Sequence, residues 1–129
     1  MSHFTKIATK IHDLIILKKV LKELGYTYRE GQVQVKAYRG ITQDCDMVIE
    51  TKAKYEIGVV KTQEGYTFVA DWWGVETTAG IEQEVFVRVV NQRYAYHKVQ
   101  AELEKKGFEV AEEKVDEHNN IKLVARKWE

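Results

Sequence analysis

The sequence has no proline, one cysteine and no excess of charge of either sign. Each of these absences excludes something. Without proline no segment has the composition of a stiff linker, and the eight glycines are scattered rather than gathered into a flexible one. With Cys45 alone no internal disulfide can form, which suits a reducing compartment. Twenty basic and twenty acidic residues cancel. The chain therefore lacks the positive balance that phosphate backbones demand, and no nucleic-acid partner is expected. No polybasic run would hold it to an anionic membrane. Uninterrupted apolar runs last a few residues, far short of a membrane span. The opening Met1 to Thr5 has no basic region followed by an apolar one, so no secretory signal is expected and a cytosol-like compartment is the default.

What is present is ordinary for a globular chain: 129 residues, 44% hydrophobic and 31% charged. That length predicts one domain, residues 1–129, able to bury roughly two thirds of its unfolded surface without a staple. Alternation predicts a strand over residues 4–11. Leu14, Leu17, Leu21 and Leu24 recur at helical spacing and predict a helix over 13–24, with Asp13 as N-cap and Gly25 just beyond its end. Residues 26–29 and 32–38 read as a hairpin around Glu30-Gly31, and 43–46 as a loop. Strands follow at 46–51, 55–62 and 66–73, dense in Val, Ile, Tyr, Phe and Trp, with a turn at Gln63-Glu64-Gly65. A long helix over 81–106 carries Ile81, Val85, Val89, Gln92, Tyr96, Val99 and Leu103 as its apolar stripe, although Val85 to Val90 have strand propensity. A last hairpin pairs 108–115 with 121–128 around His118-Asn119-Asn120.

Leu17, Leu21, Gly25, Tyr26 and Tyr28 match Val99, Leu103, Gly107, Phe108 and Val110 at a constant offset. Both copies run helix, glycine, aromatic, strand, turn, strand, and each helix follows a strand. A β-α-β-β unit used twice and plain coincidence account for this equally well. Either way the expected fold class is α+β: a mostly antiparallel sheet with two helices packed on one face.

Few residues invite chemistry. If the strand reached Trp73, alternation would put Tyr66, Phe68, Ala70 and Trp72 in the core and leave Asp71 and Trp73 on the other face. A large aromatic so placed needs local cover or a partner. On the long helix Arg93 and His97 are i, i+4 neighbours, while Tyr94 and Tyr96 cannot share a face. Asn91, Arg93, Tyr94 and His97 thus form a candidate recognition patch, against a plainer reading as amphipathic residues at a sheet edge. Asp44-Cys45-Asp46 invites a metal or thiol reading, but a turn explains the acids more simply, and no metal or cofactor is expected. The four histidines are too scattered for a catalytic set, and no phosphate loop, nucleophile elbow or His-Glu-x-x-His run is present. Lys52, Lys54 and Lys61 read as a solvated sheet rim in preference to a basic patch.

The opening Met1-Ser2-His3-Phe4-Thr5-Lys6-Ile7, Leu24-Gly25-Tyr26, Asp71-Trp72-Trp73-Gly74 and the run from Asn91 through Arg93-Tyr94-Ala95-Tyr96-His97-Lys98 to Val99 together resemble the hypothetical chloroplast open reading frame thirty-five family. These are small uncharacterised proteins of cyanobacteria and algal plastids. The resemblance spans nearly the whole chain. It implies plastid stroma or a cyanobacterial or other bacterial cytoplasm, and it brings no reaction and no catalytic residues. Its members are often encoded near ferredoxin-like proteins and an ATPase of the AAA class, which implies these as protein partners. Two functional expectations follow. One is a non-enzymatic binding or adaptor domain using Trp73 or the Arg93–His97 patch. The other is a small-ligand protein or enzyme with a pocket between sheet and helices, where two or more of Tyr94, His97 and Arg93 first, and Asp44, Cys45 and Asp46 second, would converge. RNA binding by aromatic stacking ranks last, given zero net charge.

Overall fold

The computed structural model describes residues 4–118 and 120–127. His3, Asn119 and Trp128, which figure in the expectations above, lie outside the described residues. The fold is α+β with mostly antiparallel pairing. The elements are β1 (Thr5–Ala8), α1 (Leu14–Glu23), β2 (Thr27–Lys36), a 3₁₀ turn (Tyr38–Gly40), β3 (Thr42–Glu50), β4 (Ile57–Thr62), β5 (Gly65–Ala70), α2 (Trp72–Ala79), α3 (Gln83–Lys105), β6 (Phe108–Val115) and β7 (Ile121–Lys127). Five strands form one sheet in the order β1-β5-β4-β3-β2, and β6 and β7 pair as a separate ribbon. Among the described residues no helix is long and apolar enough to cross a membrane.

Helix α1 forms as its spacing predicts. The Asp13 carboxylate accepts from Ile16 N at 3.2 Å, and Leu17, Val20 and Leu21 are buried. Its end is a Schellman cap: Gly25 N donates to Lys22 O at 3.0 Å and Tyr26 N to Leu21 O at 2.9 Å, with Gly25 at φ +85°. Gly107 closes α3 in the same backbone conformation, with φ +83°. The repeated helix-glycine-aromatic motif is thus a repeated cap. The hairpins that follow the two caps differ, because β2 and β3 join the large sheet while β6 and β7 pair only with each other.

Four local expectations are corrected. The stretch read as a hairpin is instead one strand over residues 27–36. Glu30 pairs with Met47 and Val33 with Cys45, so Gly31 and Gln32 form a bulge and the turn falls at Tyr38–Gly40. Consequently 43–46, read as a loop, belongs to β3. Strand β5 stops at Ala70, and Asp71 starts a helix. In α3 the buried residues are Phe86, Val90, Tyr94 and His97, while Val85 and Val99 are exposed. The stripe chosen from sequence is a second one, and its Gln92, Tyr96 and Val99 line a shallow groove with Ile121 and Leu123 of β7.

The main core gathers Met47, Ile49, Ile57, Val59, Phe68 and Ala70 from the sheet beneath Leu17 and Leu21 of α1 and Phe86 and Val90 of α3. A third helix, α2, adds Trp72 and Val75. A smaller cluster of Val35, Cys45 and Val48 packs with Phe4, Val33 and Val60. There Cys45 Sγ and Val35 close so tightly on Gly58 that no Cβ fits.

Candidate functional site

The expected neighbours Arg93 and His97 do meet, and they meet on a residue the sequence did not single out. Glu23, the last residue of α1, takes Arg93 Nε on Oε1 at 2.6 Å and His97 Nε2 on Oε2 at 2.9 Å. Arg93 also lies 4.4 Å above the Tyr96 ring and 4.0 Å from Glu113 of β6. The Tyr96 hydroxyl bonds to Glu113, which together with desolvation raises its pKa. The Arg93 guanidinium holds the Glu23 carboxyl below the usual glutamate range; burial opposes this and His97 adds to it. His97 is only 7% exposed, and its Nδ1 is buried without a hydrogen-bond partner among the described residues. Both Glu23 oxygens are engaged, so the arrangement ties α1 to α3 rather than presenting a free base. No local spacing links Glu23 to Arg93 across 70 residues of chain, which is why sequence reasoning missed it.

Tyr94 turns elsewhere, as its spacing from Tyr96 required. It is the core member of the pair, and its hydroxyl accepts from His12 N at 3.2 Å and Asp13 N at 3.0 Å. It thereby fastens the start of α1 to the middle of α3. Asn91, one turn earlier, is exposed and lines the same groove as Tyr94. The groove has a volume of about 990 Å³ and runs between α3 and the connection from β1 to α1. The candidate patch is thus split in two: Arg93 and His97 at Glu23, Asn91 and Tyr94 at the groove.

The placement of Asp71 and Trp73 rests on a helix rather than on strand alternation. Asp71 is fully buried, and its carboxylate accepts from Gly74 N at 3.1 Å as the N-cap of α2. Trp72 enters the core, 6.0 Å from the Phe86 ring. Gly74 lies so close under the Tyr55 ring that a Cβ there would be 2.6 Å from it. That contact presses one side of α2 onto the body. Trp73 is left 61% exposed.

Asp44, Cys45 and Asp46 all line one hollow with Gln34 and Val60, but each is engaged within the sheet. Asp44 accepts from Gln34 Nε2 at 2.8 Å and Asp46 from Lys61 N at 2.7 Å. Cys45 is buried, and burial pushes its thiol pKa up, away from nucleophilic character. Among the described residues no group of three or more His, Cys, Asp and Glu is placed to hold a metal ion. Lys52, Lys54 and Lys61 are all exposed, and Lys54 lies 5.9 Å over the Tyr55 ring.

Residues 20–124 match the family described as "Protein of unknown function (DUF1257)". The uncharacterized protein ycf35 of Cyanophora paradoxa is 35% identical over 130 residues, covering 99% of this chain and 98% of the relative. Its namesakes in Pyropia yezoensis and Guillardia theta are 33% and 34% identical with the same coverage. These relatives bear the family name to which the Asn91 to Val99 run pointed. No solved structure matches the chain.

Proposed function

The chain belongs to the family described as protein of unknown function DUF1257, and within it we propose a non-enzymatic binding or adaptor domain that holds a protein partner. The observation that carries this reading is Trp73. A tryptophan 61% exposed leaves a large apolar ring in water. Here it stands in the first turn of α2, whose Trp72, Gly74 and Val75 are buried. The helix is therefore fixed and its tryptophan presented. Rigid aromatic anchors of this kind dominate binding energy at protein interfaces. The partners to test are the ferredoxin-like protein and the AAA-class ATPase that the family resemblance brings, in plastid stroma or bacterial cytoplasm.

The test uses each partner in purified form against the full chain. Trp73→Ala is expected to weaken binding by about tenfold or more, in line with loss of a central aromatic anchor. Its melting temperature should stay unchanged, because the ring lies outside the core. Equal affinity for the variant and the native chain overturns the reading. The alternative, a small-ligand protein or enzyme with a pocket between sheet and helices, draws on a different observation, the groove shared by Asn91 and Tyr94.

A further inference from the structure

A hydroxyl oxygen accepts two hydrogen bonds and donates one. Tyr94 Oη accepts from His12 N and Asp13 N, at 3.2 and 3.0 Å. Its own proton has no acceptor among the described residues, and the residue is only 9% exposed. Both of these bonds are only part-buried, so the hydroxyl stays within reach of solvent, where a ligand oxygen can accept its proton in place of water. Tyr94 lines the groove between α3 and the β1 to α1 connection, so the groove is where an acceptor would come from.

The rest of the groove has the matching chemistry. Lys98, one turn after Tyr94 on α3, and Asn91, one turn before it, line the same wall. Lys10 and His12 line the opposite side. Glu64 is the one acidic residue among those lining the groove, set against two lysines. The Asp13 carboxylate caps α1 by accepting from Ile16 N and is not among the residues lining the groove. Apolar surface from Ala8, Ala95 and Val99 completes the lining. A volume of about 990 Å³ is of the size that takes a small organic molecule.

We propose that this groove binds a small organic anion, whose acidic oxygen accepts the Tyr94 hydroxyl proton beside Lys98 and whose apolar body lies against Ala8, Ala95 and Val99. The inference gives a place and a ligand class to the small-ligand reading, and it is independent of Trp73. A carboxylate and a phosphate ester share the required chemistry. Lys98 supplies the charge, Asn91 a further amide donor, and Tyr94 the directed hydrogen bond.

The test is a titration of the full ¹⁵N-labelled chain with benzoate, phenyl phosphate, benzamide and inorganic phosphate, followed by amide shifts. Benzoate or phenyl phosphate is expected to move the His12, Asp13 and Asn91 signals saturably, and which of the two binds more tightly identifies the acid. Benzamide, isosteric but neutral, and inorganic phosphate, anionic but without an apolar body, should bind at least about tenfold more weakly, as a charge-assisted bond and apolar burial predict. Lys98→Gln, on the exposed face of α3, should weaken the better anion by about threefold or more, and added salt should do the same. Tyr94→Phe should weaken it further in a chain whose other shifts show it folded. Trp73→Ala should bind as the native chain does, which separates failure here from failure of the protein-partner reading. The proposal is overturned by saturable binding of neither anion, by benzamide or inorganic phosphate binding as well, or by undiminished binding to Lys98→Gln.

Discussion

Gly65 opens β5 at φ +135°, and a Cβ there would lie 2.7 Å from Thr9 O and 2.9 Å from Ile11 O. Both atoms are backbone of the β1 to α1 connection, which is itself bonded to the start of β5: Tyr66 N donates to Ile11 O at 2.8 Å and Thr9 N to Tyr66 O at 3.2 Å. Nothing flexible is available to give way. Gly65→Ala is therefore expected to cost about 2–4 kcal/mol, backbone strain and overpacking together. Gly25→Ala meets open space and pays for its positive φ alone, about 1 kcal/mol. Urea denaturation of both variants checks the order, and equal losses would refute the steric argument. At this scale the sequence was legible wherever spacing sufficed. Gln63-Glu64-Gly65 reads as a turn, Asp13 as a cap, and Arg93 and His97 as neighbours. It was illegible where partners come from another element. Glu23 joins the latter pair, and the His12 and Asp13 amides occupy Tyr94, through contacts that only α1 on α3 creates.

The helix α2 shows why element type was harder to read. Every residue of β5 is buried, so the alternation that marks a half-exposed strand is missing and its end is unmarked. Trp72 and Trp73 have strand propensity, yet Asp71 is an N-cap residue, and the cap decides. Asp71→Ala should destabilise the protein by about 1–2 kcal/mol, while Asp71→Asn, able to cap equally well, should cost less. Circular dichroism melts of the two variants test this, and identical losses would mean the carboxylate acts otherwise than as a cap. Helix α3 misled in another way. It has two apolar stripes, and periodicity alone does not say which faces the larger sheet. The junction of α1 with α3 carries a pH dependence. Glu23 has a folded pKa below its ordinary value, chiefly through Arg93. Its pairing therefore stabilises the fold above the ordinary glutamate range, and that contribution is lost as the pH falls through the depressed value. Glu23 is about one third exposed, so solvent screening keeps the effect below about 1 kcal/mol. Stability measured from about pH 7 to about pH 3 should fall less steeply for Glu23→Gln than for the native chain. Parallel slopes would show that other acids carry the dependence.

Across the whole molecule the division into two sheets sets where the structure opens first. The five-stranded sheet has helices over one face and the Val35, Cys45 and Val48 cluster besides. Among the described residues the β6–β7 ribbon has α3 as its one sizeable neighbour, and a two-stranded ribbon is marginal by itself. Residues 111–118 are exposed throughout, and the ion pair of Arg126 with Glu109 is solvent-facing and worth little. What fastens the ribbon is its packing against α3, together with Glu113, which meets the Tyr96 hydroxyl and Arg93. The repeated helix-glycine-aromatic caps suggested equivalent halves, but two hairpins with like entrances have unlike surroundings, and surroundings decide stability. Amide hydrogen exchange should therefore show β6 and β7 opening at a free energy at least about 2 kcal/mol below that of β3, β4 and β5, as a separate unit. Glu113→Ala removes the polar fastening alone, and it should speed exchange in the ribbon several-fold while leaving the large sheet at its native rate. Exchange that accelerates equally in both sheets, or protection of β6–β7 matching that of β4, would mean the two sheets unfold as one body and that α3 couples them far more strongly than these contacts account for.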